Sequence, residues 1–113
     1  MPKPTFHPIL TLTITAATDL DHAHRFVGFD GRPSTAGAKA LGVNNATFAA
    51  GEQASVDAIG VVLVESGGAV PQGAEVQAGA EGRAVALDGG KPNGWALDAA
   101  QGAGELIRIA RGI

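Results

Sequence analysis

No window of this chain carries three or four turns of helical apolar periodicity without a glycine inside it. That feature removes helical bundles and leaves short strands. Seventeen of the 113 residues are glycine and six are proline, and the glycine share stands well above the usual ~7%. Apolar residues reach 45%, yet Ala, Val, Leu and Ile supply most of them, beside four Phe and one Trp. Such a chain loses much backbone entropy on ordering, while Ala and Gly bury little surface in return. A thin core is expected, one that a neighbouring subunit would complete.

Alternation locates the strands. In LTLTIT, Leu10, Leu12 and Ile14 fall on one face and Thr11, Thr13 and Thr15 on the other, the pattern of a half-buried strand. RFVGFD sets Phe26 and Gly28 against Val27 and Phe29, and the turn pair Asp30-Gly31 closes it. KALGV (39–43) reads as a short strand and NNATFAAGE as a loop. QASVDAIGVVLVES reads as one or two strands, with Gly60 marking a bulge or bend. EVQAG, EGRAVAL and GWALDAA follow as strand segments between the turn regions SGGAVPQG and DGGKPNG. ELIRIARGI closes the chain, with Ile107 and Ile109 opposed by Leu106 and Arg108. At the other end, Pro2, Pro4 and Pro8 restrain residues 1–9 to an extended arm. Asp19 to Ala23 is a turn, or a helical turn capped by Thr18 or Asp19.

AGEQASV at 50–56 is respelled as AGELIRI at 103–109. Gly31-Arg32 likewise matches Gly82-Arg83, Gly42-Val43 matches Gly94-Trp95, and Gly51-Glu52 matches Gly104-Glu105, at lags of 51, 52 and 53 positions. Glycine in each turn permits a backbone angle that other residues resist, and the glutamate keeps the strand entrance wet. The expected class is therefore all-β: a compact small β-barrel or β-sandwich with glycine-rich turns and an extended N-terminal arm at 1–9. Residues 10–113 form a single β domain from two pseudo-repeated units, about 27–56 and 76–109. Closing two such units into one barrel removes exposed edges.

The formal charge of −3 and a charged fraction of 17% give no electrostatic footprint for nucleic acid. The opening MPKPTFHPIL has no apolar run of signal length, and no stretch approaches a membrane span. With no cysteine, disulfides cannot staple the fold. DLDHAHR is the densest chemical cluster: His22 and His24 share a face if extended, with Asp19, Asp21 and His7 as further candidate zinc ligands. Its spacing matches no metal signature, and solvated or capping groups are the ordinary reading. Ser34, Ser55 and Ser66 lack a nucleophile elbow, and DGGK, ending at Lys91, lacks the Walker spacing. Trp95 is either a stacking platform for sugar or base or the one large filler of a small-residue core, and its match to Val43 favours packing. Arg108 and Arg111 make a weak basic spot suited to a salt bridge or a protein neighbour. No catalytic, cofactor-binding or metal residue is assigned, and the chain is not expected to be an enzyme.

The order LTLTITAATDL, HRFVGFDGRP, ALGV, AAGEQASVDAIGVVLVESGGAVPQGAEVQAGAEGRAV and GELIRIAR resembles the small capsid decoration (cement) proteins of tailed bacteriophages, from Leu10 to Ile109. The resemblance implies that Gly42-Val43, Gly51-Glu52, Gly73 to Val76 and Gly104-Glu105 belong to a β scaffold. It implies a protein without catalysis or cofactor, located on the outer surface of the virion and present in the host cytoplasm during assembly. There it would brace the shell, with the major capsid protein and its own copies, as dimer or trimer, for partners. The Pro-rich start and DHAH at 21–24 depart from the family pattern. The arm PKPTFHPIL would add a strand to a neighbour's edge, with Pro4, Phe6, Ile9 and Leu10 as contact residues. The alternative is a small β binding module for carbohydrate or another surface ligand, with Trp95 as its platform.

Overall fold

The computed structural model describes residues 5–112. Among them the alternating segments become β1 (His7–Thr15), β2 (Phe26–Val27), β3 (Gly42–Asn44), β4 (Gln53–Gly67), β5 (Glu75–Ala78), β6 (Ala84–Ala86), β7 (Gly94–Ala96) and β8 (Ala103–Gly112). A 3-10 turn, Ala80–Gly82, joins β5 to β6. Strands β4, β6, β5, β7 and β8 follow one another around a five-stranded barrel, closed where β8 returns to pair with β4. The contact of β4 with β6, at Ser66 and Ala84, is parallel, and the other pairings are antiparallel. β1 and β3 both pair with the first half of β4, and β2 continues outward from β3. The expected all-β barrel is the fold.

The long apolar segment forms one strand of 15 residues. Its even-numbered residues point inward, as the period of two requires. Ala54 and Val56 pack with Ala16, Leu20, Val27 and Leu41, against which Leu12 and Ile14 of β1 are partly buried. Farther along, Val62 and Val64 pack with Phe26, Val76, Ile107 and Ile109 in the larger core. One strand thus carries both clusters.

Two short strands differ from their sequence-based bounds. RFVGFD pairs only at Phe26 and Val27, because Gly28 donates to the Arg32 carbonyl at 2.8 Å and turns the chain, leaving Phe29 in solvent. The segment 39–43 enters the sheet only at Gly42, where a side chain would run into the Asp57 carbonyl. β1, in turn, begins at His7, so the last three residues of the expected arm lie in the ladder.

The pairings recur along the chain. Phe26 pairs Val43 and Val43 pairs Asp57, and Val76 pairs Gly94 while Trp95 pairs Ala110. The bridge Leu20–Phe48 is matched by Val70–Ala100, and Val27–Pro33 by the pair Gln77–Val85. Gly51 and Gly104 adopt φ of +88° and +87°, a left-handed conformation that favours glycine. Each following glutamate folds back on its turn: Glu52 accepts the Ala49 N–H at 2.6 Å, and Glu105 accepts the Gly102 N–H at 3.0 Å. The glutamates therefore cap backbone donors that would otherwise be left to water.

Candidate interaction surface

β1 pairs with β4 and with no other strand among the described residues. Its second edge is an open row of backbone donors and acceptors, the kind of edge to which another chain can add. Both β1 and β8 pair with Ile59, Gly60 and Val61 of β4, so they must lie on opposite sides of that strand. Proline is tolerated at Pro8 because an edge strand need not donate there.

The register of β1 against β4 shifts twice in succession. Pro8 stands opposite Gly60 and Leu10 opposite Ile59, leaving Ile9 as an extra residue; Ala58 is the extra residue on β4 before Thr11 meets Asp57. Bulges of this kind re-aim a side chain, and here Ile9 is 81% exposed. The bulge depends on Gly60, whose φ is +113°. A Cβ there would lie 2.6 Å from the His7 carbonyl oxygen and 2.7 Å from the Ile9 nitrogen. Beyond the bulge β1 is anchored: Leu12 and Ile14 reach the core, and Thr11 donates to the buried Asp57 at 2.9 Å.

Three of the four expected contact residues are brought together here. Phe6, Ile9 and Leu10 are all exposed, Phe6 immediately ahead of β1 and the other two within it. Pro4 lies outside the described residues.

Several of the other sequence candidates lie in turns and pairings of the fold. His22 and His24 sit in the loop between β1 and β2, where the His22 carbonyl accepts the Asn44 amide and His24 adopts φ +64°. Asp19 caps the Ala50 N–H at 2.8 Å. Among the described residues no three His, Asp or Glu side chains gather in a way that could hold a metal ion. Ser66 donates to the Gly102 carbonyl and accepts the Glu105 N–H, fastening β4 to β8. The amides of the DGGK turn are occupied as well, since the Gln77 side chain accepts from Asp88 and Gly90.

Trp95 is not the core filler its match to Val43 suggested. Ala96 takes the inward position of β7, so the adjacent Trp95 must point outward, and it is 55% exposed. Val43 differs because all three residues of β3 are buried between β2 and β4.

One arginine network was not legible in the sequence, and a second arginine, Arg108, makes the salt bridge expected of it. Arg25 bridges Glu65 and Glu81, each at 3.4 Å, while Arg83 stands 3.3 Å from Glu65, tying the loop before β2 to β4 and the 3-10 turn. Arg108 makes a forked pair with Asp98, at 2.9 and 2.8 Å, and this holds the Asp98 carboxyl below the usual carboxylate range. The remaining terminal arginine, Arg111, is buried without a counter-ion at ion-pair distance among the described residues.

The whole of this architecture has known counterparts. It superposes on the N base of head fiber gp8.5 in bacteriophage phi29 with a TM-score of 0.72 and 19% identity, covering 91% of this chain and 93% of that one. At that identity the likeness is one of fold. No curated protein matches the chain in sequence. The family model described as phage cement protein matches residues 5–111, which include every strand except the last residue of β8. With nearly the full chain matched, the protein belongs to the phage cement proteins, and its role is structural and capsid-associated.

Proposed function

We propose that this protein decorates the outer surface of a phage head and stabilises the shell by binding the major capsid protein through β1. The observation that carries the reading is the open, bulged edge of β1, where Phe6, Ile9 and Leu10 leave apolar surface in water. A neighbour's strand added there would supply main-chain hydrogen bonds, with the bulged Ile9 as an anchor. Burying an isoleucine side chain is worth about 2 kcal/mol, so each copy gains roughly thirtyfold in affinity from that residue. Icosahedral repetition multiplies modest contacts, and dimers or trimers of the protein would add avidity.

The accompanying domain reading belongs to the same proposal: one β domain made from two copies of a strand unit. The protein would be soluble in the host cytoplasm until heads are available. No catalytic step is needed for any of this.

The test uses undecorated heads. Wild-type protein is expected to bind and raise the temperature of thermal rupture, and Ile9→Ser is expected to lose about thirtyfold in affinity while melting normally in isolation. Unchanged binding by Ile9→Ser and Leu10→Ser together would remove β1 as the contact. Equal rupture temperatures with and without bound protein would remove stabilisation as the function.

A further inference from the structure

The open edge of β1 has a parity and two ends. Residues of an antiparallel pair alternate between bonding across the ladder and turning their N–H and C=O groups away from it. Ala16 bonds toward β4: its N–H donates to the Glu52 carbonyl at 2.9 Å, and its carbonyl accepts the Gly51 N–H at 2.8 Å. On β4, the Ser55 carbonyl accepts the Asn45 N–H at 3.4 Å on the side of β3, so Ala54 and Val56 bond toward β1. Those two stand opposite Ile14 and Leu12. Leu12, Ile14 and Ala16 therefore bond to β4, and Thr11, Thr13 and Thr15 aim their backbone groups at the open edge.

The turn 28–32 closes one end. Ala17 has the same parity as the threonines, and its N–H already donates to the Gly31 carbonyl at 3.0 Å. Gly31 lies so close to the strand that a Cβ on it would stand 2.5 Å from the Thr15 carbonyl oxygen. At the other end Ile9 bulges out of register and Pro8 has no N–H. Between these stops Thr11 and Thr13 keep both backbone groups free, and among the described residues no strand but β4 pairs with β1.

The two faces beside the edge differ. On one the threonine side chains are exposed; on the other Leu12 and Ile14 are only half-buried against the core cluster of Leu20, Val27 and Val56. Directly opposed residues of an antiparallel pair share a face. An incoming residue opposite Thr11 or Thr13 thus exchanges both main-chain bonds and sends its side chain to the wet face. The residue between them stands opposite Leu12 and sends its side chain over the cluster, where a polar group would be buried without a partner.

We propose, on the reading that β1 meets the shell, that the shell segment it receives is a short antiparallel strand of alternating character. Its polar residues lie against Thr11 and Thr13, its apolar residues against Leu12 and Ile14, and its amino end meets the turn 28–32. Main-chain bonds alone are indifferent to sequence. The half-covered Leu12 and Ile14 supply the preference, and the two stops set the length.

The test titrates the isolated full chain with blocked peptides and follows its backbone amides by NMR. Val-Thr-Val-Thr-Val with a C-terminal lysine for solubility should shift Thr11, Thr13 and Thr15 saturably, with Kd of about a millimolar. The scramble Val-Val-Val-Thr-Thr, with the same lysine, should bind at least about tenfold more weakly. N-methylating both peptide threonines removes the donors that face β1 and should abolish binding. N-methylating the central valine, whose N–H faces away, should leave affinity within about twofold. No saturable shift at Thr11 and Thr13, equal binding of the scramble, or loss on methylating the valine rather than the threonines overturns the proposal. So do shifts of those amides with protein concentration alone, which would make the edge a seat for a second copy. Head binding is scored apart from this: if the peptides fail while Ile9→Ser with Leu10→Ser still weakens head binding, the alternating strand falls and the β1 contact stands. If the peptides bind as expected while that variant holds to heads unchanged, the contact falls and the selectivity of the edge stands.

Discussion

Gly60→Ala isolates the exposed end of β1 from the rest of the molecule. The new methyl would meet two backbone atoms, the His7 carbonyl oxygen and the Ile9 nitrogen, at 2.6 and 2.7 Å, and would sit at φ +113°. Neither neighbour is the end of a flexible side chain, so one strand must move. β4 cannot yield easily, because β8 pairs with it at Ile59 through Gly67 and Val62 and Val64 are fully buried just beyond. β1 can, since His7 to Leu10 are all exposed. The strained angle costs about 1–2 kcal/mol and two lost ladder hydrogen bonds about 1 kcal/mol each, partly offset by the freedom regained in the released residues. A net loss of about 2 kcal/mol lowers the melting temperature by roughly 10 °C in a domain of this size. Amide hydrogen exchange gives the spatial test: protection should fall in β1 ahead of Thr11 and persist in β4 beyond Val62 and in β8. Head binding should fall with it. Gly51→Ala is the control, because that glycine has φ +88° but nothing within 4 Å of its would-be Cβ, and it should leave β1 protection intact. Wild-type protection at Leu10 in Gly60→Ala, or a loss spread evenly over β8, would refute the reasoning.

The two turn glutamates should behave as a matched pair. Glu52→Ala and Glu105→Ala each remove a backbone cap, so urea midpoints should fall by the equivalent of about 1 kcal/mol apiece, more for Glu105, which also accepts the Gln101 N–H; a neutral Glu105 variant would break the parallel between the turns. The Asp98–Arg108 fork should appear in acid unfolding. Because the folded Asp98 carboxyl is held below its ordinary value, its contribution is complete above the unfolded carboxylate pKa of about 3.9 and is lost as pH falls through the lower, folded value. Asp98→Asn should therefore be less stable than wild type at neutral pH, with the gap closing below about pH 4; a gap constant across that range would contradict the assignment.

What could be read from the sequence was whatever depends on local period and local backbone angle. The alternation of Leu12 and Ile14, and of Ile107 and Ile109, fixes which side of β1 and β8 meets the core. The paired glycines Gly31 and Gly82, and Gly51 and Gly104, are all in the left-handed region that their turns require. The candidate contact residues Phe6, Ile9 and Leu10 were visible as apolar side chains beside prolines, although not as a bulge, since Ile9 is displaced by Gly60 on a strand fifty residues away. Burial set by strand order was not legible. Nothing near Trp95 says that β7 turns Ala96 inward, and nothing near Arg111 says that the Ala40 carbonyl waits there.

This division follows from how the barrel is closed. A chain with small side chains cannot fix its strand order by bulk, so β4 carries the consequence: one 15-residue strand pairs with β1, β3, β6 and β8 and supplies both cores. Every other strand can then be short, because each needs only a few residues of register against a neighbour already held. The same economy leaves β1 joined to the domain on one side alone, with its apolar residues past the reach of either cluster until Leu12. Under the proposed head contact, an edge so built would gain from a partner what the thin core cannot supply, and mass action on a shell would make that gain part of the folded protein's stability. Binding to the head should thus protect β1 from exchange more than any other strand, whereas a contact made through β8 would leave β1 as open as it is in the free protein.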